Sequence, residues 1–124
     1  MFGHNDAMAT IAVRDLERAA RFYEGTLGLR RIGEGDGPRV YESGSSRVLV
    51  YESEFAGTNR ATSATWNVRE NIEGLVEWLK SRGVTFEHYD LPGATHVGDL
   101  HVFGSMRGAW FKDPDGNILH IVSE

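Results

Sequence analysis

Ala9-Thr10-Ile11-Ala12-Val13-Arg14 returns 55 positions later as Ala64-Thr65-Trp66-Asn67-Val68-Arg69, and this repeat decides the fold. The same offset carries Gly28-Leu29 onto Gly83-Val84. Between these anchors both copies have helical periodicity. Leu16, Ala19, Ala20 and Tyr23 fall at i, i+3, i+4 and i+7, and so do Ile72, Leu75, Val76 and Leu79. The second stripe sits at an offset of 56, so one copy carries a one-residue adjustment near its helix start. Asp15 and Asn71 can accept from the free N–H groups of a first turn, and Gly28 and Gly83 suit helix stops.

After each helix the period changes to two. In the first copy 29–33, 39–42 and 47–52 read as short strands, separated by a Gly-rich stretch at 33–38 and by Ser43-Gly44-Ser45-Ser46. In the second, 84–89 reads as a strand, and 108–112 with 117–122 as a hairpin. The turn of that hairpin is Asp113-Pro114-Asp115-Gly116, with proline at the second position of a type I turn. The stretch 91–103 lacks periodicity and is expected to be a ligand-contacting loop or lid, with a short extended piece at 100–103.

Each copy is thus a β-α-β-β-β module, about 7–53 and about 62–124, within one α+β domain spanning 1–124. Alternation assigns the faces. Ala9, Ile11 and Val13 pack on a helix and leave Met8, Thr10 and Ala12 opposite. Ala64, Trp66 and Val68 leave Ser63, Thr65 and Asn67. Leu119 and Ile121 leave Ile118, His120 and Val122. Curved mixed sheets with helices outside would enclose a cup between their helix-free faces, formed by one chain or by two.

Composition narrows the function. Cysteine is absent, which removes disulfides, thiolate ligands and a cysteine nucleophile. No apolar run approaches the length of a membrane helix, and Met1 to Met8 lack the basic and apolar regions of a signal peptide, so a cytoplasmic address is expected. The net charge of −5 and scattered basic residues argue against nucleic acid as a partner and mildly favour a cationic ligand. The stretch 33–37 has no helix after it, so a strand turn is expected there and not a phosphate cradle.

The run 13–23 (Val-Arg-Asp-Leu-Glu-Arg-Ala-Ala-Arg-Phe-Tyr), ending in Leu27-Gly28-Leu29, resembles the opening of the vicinal oxygen chelate superfamily. The run 109–121 (Ala-Trp-Phe-Lys-Asp-Pro-Asp-Gly-Asn-Ile-Leu-His-Ile) resembles its close. That superfamily includes glyoxalase I, extradiol dioxygenases, fosfomycin-modifying enzymes and bleomycin resistance proteins. In its metalloenzymes a divalent ion is held by His, Glu or Gln from the first and last strands of both modules. Those positions fall here on Met8, Ser63, Val50 (Leu49 if the register moves by one) and His120. Only His120 is a ligand type.

The resemblance therefore implies a metal-site-depleted member. No cofactor is expected, with a divalent metal as the alternative. The reading is a small-molecule binder that sequesters a drug or metabolite, likened to the resistance proteins and commonly homodimeric. Its ligand-contacting residues are Met8, Thr10, Val50, Glu52, Ser63, Thr65, Asn67, Phe103, Trp110 and His120. The alternatives are a lyase or dioxygenase with a metal gathered by His120 with Glu52, His4, His96 or His101, or a metal-independent enzyme with His120 as base. His96-x-x-Asp99-x-His101 has the composition of a ligand set but no fixed geometry in a loop. Trp66 and Trp78 read as core, Trp110 as core or cup border, and Arg107 as an anion clamp or a loop cap.

Overall fold

A computed structural model describes residues 1–69 and 71–124 of the chain. After a short 3-10 turn, Phe2–His4, the first module runs β1 (Ala9–Val13), α1 (Leu16–Ala20), β2 (Arg30–Ile32), β3 (Arg39–Ser43) and β4 (Ser46–Glu52). The second runs β5 (Thr62–Asn67), α2 (Ile72–Ser81), β6 (Phe86–Glu87), β7 (Thr95–Val97), β8 (Leu100–Phe103), β9 (Met106–Lys112) and β10 (Ile118–Ser123). The α+β architecture of tandem modules is the one the repeat implies.

The helix starts are built as their sequences indicate. The Asp15 carboxylate accepts from the N–H groups of Glu17 and Arg18, and the Asn71 side chain accepts from that of Gly74. α1 continues directly into a π-helical stretch, Arg21–Thr26, where the Leu27 N–H reaches back five residues to the carbonyl of Phe22. This wider turn leaves Tyr23 fully buried.

The first sheet has the order β1-β4-β3-β2, with β1 parallel to β4 and the other pairs antiparallel. The second repeats it as β5-β10-β9, and there the outer edge of β9 is shared. β6 pairs with Trp110 and Phe111, whereas β8 pairs with Met106, Arg107 and Gly108, and β7 lies beyond β8. Two expectations change here. The strand expected over 84–89 shortens to Phe86–Glu87, and 91–103, expected as a loop with a short extended piece at 100–103, contains the hairpin β7–β8, of which that piece is the second strand.

Helix-bearing faces of both sheets contribute to a single core. Ile11, Val13, Tyr41, Val48 and Val50 from the first join Ala64, Ala109, Phe111, Leu119 and Ile121 from the second, with Leu16, Tyr23, Ile72, Val76 and Leu79 from the helices. Phe22 and Phe111 meet across the modules at 6.4 Å between ring centroids, and the Trp66 indole N–H donates to Ser43 Oγ at 2.9 Å. Each large side chain buried this way contributes on the order of 1.5–3 kcal/mol. Trp66 belongs to this core, but Trp78, expected there, is 41% exposed.

The turn between β9 and β10 clasps the modules together. Buried Asp113 accepts the Tyr23 hydroxyl at 2.7 Å and the Asn117 amide at 2.8 Å, and Asn117 also donates to the Ala12 carbonyl at 2.7 Å. Asp115 accepts the Arg18 guanidinium at 2.6 Å and the Arg14 N–H at 3.2 Å. The connecting segment packs on this turn so closely that a Cβ at Gly57, whose φ is +72°, would lie 1.8 Å from the Asp115 carbonyl oxygen.

Candidate functional site

Because the helix-bearing faces share a core, the helix-free faces of the two sheets open outward within one chain. At the first sheet Met8, just before β1, and Tyr51 on β4 are 40% and 37% exposed. β4 corrects one assignment. Val48 and Val50 point into the core, Val50 being only 1% exposed, so Leu49 is the residue on the open face. The parallel registers agree: Leu49 lies opposite Thr10 as His120 lies opposite Thr65, which makes Leu49 the repeat partner of His120. Glu52, placed beside Val50 on the cup, is exposed at the end of β4 opposite Val13.

On the second sheet the open face carries Thr65 on β5, His120 and Val122 on β10, Gly108 and Trp110 on β9, and His101 and Phe103 on β8. Direct cross-strand pairing puts His120 on Trp110, and their rings stack at 4.1 Å with 12° between planes. His101 meets the other side of this pair edge-on, 4.8 Å from Trp110, and Tyr89 packs edge-on at 5.7 Å. His120 Nδ1 lies 3.3 Å from the Thr65 hydroxyl. Its ring extends over Gly108, where a Cβ would come within 2.7 Å of Nε2. A glycine inside a strand is the sequence signal for such an approach. Burial, with a smaller effect from His101, holds the His120 imidazole below its usual value, so it is neutral at pH 7.

Beside these rings is a pocket of roughly 380 Å³, lined by Leu91, Phe103, Met106, Trp110, His120 and Val122 together with Gly108 and Arg107. Of the residues expected to contact ligand, Phe103, Trp110 and His120 line this pocket, and Thr65 is tied to it through its hydrogen bond to His120. Ser63 and Asn67 share the strand face, half-buried and exposed. Thr10, on β1 of the other sheet, and Met8, just before that strand, do not line this pocket. Leu91 comes from the segment expected to contact ligand, whereas Gly108 was not anticipated. Arg107 is ion-paired with Glu73, which neutralises the charge an anion clamp would use.

The His96, Asp99 and His101 group serves the hairpin. Buried His101 accepts the Tyr89 N–H on Nε2 at 2.9 Å, and His96 Nε2 lies 2.8 Å from the Tyr89 carbonyl, so the two imidazoles hold the backbone of one residue through the peptide groups on either side of it. Asp99 pairs with His88 at 2.8 Å and Lys80 at 3.0 Å. Among the described residues no three His, Asp or Glu side chains converge in a group able to hold a metal ion. The positions where the family's metalloenzymes place ligands carry a thioether, an aliphatic chain, a hydroxyl and one imidazole, a donor set that does not fit a catalytic divalent ion. No helix among the described residues is long and apolar enough to cross a membrane.

Comparison with known proteins agrees with the topology. A glyoxalase family protein from Enterococcus faecalis is 19% identical, with a TM-score of 0.74 over 98% of this chain and 99% of that one. The genomically encoded fosfomycin resistance protein FosX from Listeria monocytogenes is 14% identical, with a TM-score of 0.73 over 97% and 93%. An integron cassette protein from the mobile metagenome of a Halifax Harbour sewage outfall is 18% identical, with a TM-score of 0.72 over 97% and 99%. At these identities the likeness speaks for the fold alone. No curated protein matches the sequence. The family model for the Glyoxalase/Bleomycin resistance protein/Dioxygenase superfamily matches residues 7–121, nearly the whole chain, and the chain belongs to that superfamily.

Proposed function

We propose that this protein is a metal-free binder of a small organic molecule, a drug or a metabolite, held on the open face of the second sheet. It works as a cytoplasmic homodimer in which a second copy covers that face. The carrying observation is the pocket beside the stacked Trp110 and His120, whose wall is aromatic and aliphatic. Its volume lies within the range of about 300–1,000 Å³ usual for small-ligand sites. With Arg107 occupied by Glu73, the wall favours an uncharged or weakly cationic body over an anion. A fosfomycin resistance protein shares the fold, so drug-directed work is compatible with it. The dimer is supported by the outward-facing sheets, since a cup from these modules needs a second chain.

The test is the metal content of protein purified without chelator or metal affinity resin, with melting scans against divalent ions and then a small-molecule library. Binding without metal is expected to give no stoichiometric ion, no stabilisation by ions and stabilisation by at least one organic compound. One bound ion per chain with a raised melting temperature would refute it in favour of a lyase or dioxygenase. The neutral His120 beside Thr65 also suits a metal-independent base. Turnover that is lost in His120→Ala while ligand binding survives would select that reading.

A further inference from the structure

A second cavity lies on the opposite side of the second sheet, between the modules. It measures roughly 140 Å³ and is walled by Leu29 from the first module and by Trp66, Val68, Leu75, Leu79 and Phe111 from the second. We propose that this intermodule cavity binds one small, uncharged aromatic molecule of benzene to toluene size, independently of the pocket beside His120.

Volume and chemistry of the wall carry the argument. A protein cavity of about 150 Å³ lined by Leu, Ile and Phe stays dry and admits benzene. This one has nearly that volume, and its wall is likewise aliphatic and aromatic. The nearest polar groups, the Trp66 indole N–H and Ser43 Oγ, satisfy each other at 2.9 Å. A trapped water needs two to four polar partners and would find few here. A charged ligand would lose its hydration with no counter-charge among the lining residues. The cavity is partly open, and its rim is Trp78, otherwise an unexplained exposed indole. The Arg82 guanidinium sits 4.6 Å from that ring and holds it as the edge of the mouth. A flat ring entering past Trp78 would meet Trp66 and Phe111 and fill space that the packed core leaves empty.

The experiment is a toluene titration of the full chain followed by methyl NMR and thermal melting. The expected result is saturable shifts at the methyls of Leu29, Val68, Leu75 and Leu79, with a higher melting temperature. Leu75→Phe, which places a ring in the cavity, is expected to weaken toluene at least about tenfold. Val68→Leu fills less space and serves in its place if the first variant melts too low to assay. Absence of saturation, shifts confined to Leu91, Met106 and Val122, or undiminished binding in a folded filling variant would each overturn the proposal. Because the two pockets have different methyls, failure here leaves the reading of the His120 pocket standing, and the reverse also holds.

Discussion

Tyr23→Phe removes one oxygen from the clasp between the modules, and the structure fixes what that should cost. The Tyr23 ring is fully buried, its hydroxyl donates to Asp113 Oδ2 at 2.7 Å, and Asp113 is itself 5% exposed. Burial first and the Asp113 charge second push the phenol far above its usual range, so it remains a donor at every working pH. A hydrogen bond to a charged group contributes about 1.5–3 kcal/mol. The loss stays within this range because Asn117 still donates to the same oxygen at 2.8 Å. Unfolding entropy for 124 residues is roughly 0.26 kcal/mol/K, so the melting temperature should fall by about 6–12 °C. Urea unfolding at fixed protein concentration is the assay, with an unchanged slope required for the comparison. Tyr41→Phe is the control. Its hydroxyl donates at 2.8 Å to Glu24, whose side chain is 40% exposed, so water replaces the lost donor and about 0.5–1.5 kcal/mol is expected. A loss below about 0.5 kcal/mol for Tyr23→Phe, or one no larger than the control, would refute the clasp.

Gly108→Ala should lift the His120 ring from Trp110, since the new Cβ would lie 2.7 Å from Nε2, while the clash falls on a side-chain tip and spares the fold. A changed Trp110 emission with a nearly unchanged melting temperature is expected, and an unaltered spectrum would show that the ring does not depend on the glycine. Burial holds His101 and His120 below 6.5, so as pH falls past that value the unfolded chain takes up protons the folded one refuses. Stability should therefore be full above that window and decline below it, tracked by the urea midpoint, and His101→Gln should flatten the decline. Equal slopes for the variant and the parent would remove His101 from the account.

Legibility in the sequence followed the strength of local signals. The helices carried apolar stripes, Asp and Asn caps and glycine stops, and the final hairpin carried Asp-Pro-Asp-Gly, so these elements could be placed from the residues. β4 could not be phased, because Val48, Leu49, Val50 and Tyr51 are apolar on both faces and alternation gives no direction. Of the β7–β8 hairpin only the extended piece at 100–103 was legible, and its pairing with β7 was hidden for a related reason. Thr95, His96 and Val97 are all exposed, and of the two buried positions on β8, Leu100 and His101, one is a histidine that accepts the Tyr89 N–H. At the site, the aromatic and histidine members were visible as types, but their stack requires the β9–β10 register. Asp113 was read as a turn former, and nothing local reveals that its carboxylate is the buried acceptor for Tyr23.

The reach of that acceptor has a consequence for how the protein is made. Tyr23 waits for Asp113 across 90 residues, and Ala12 waits for Asn117 across 105. During synthesis on the ribosome the first module therefore emerges with the Tyr23 phenol, the Arg18 guanidinium, the Arg14 N–H and the Ala12 carbonyl lacking their partners, and with the core face that meets the second module uncovered. It can collapse early, but it cannot lock. Maturation waits for the last hairpin, and a chain stalled before that point would present chaperones and proteases with a second sheet that lacks β10, the strand joining β5 to β9.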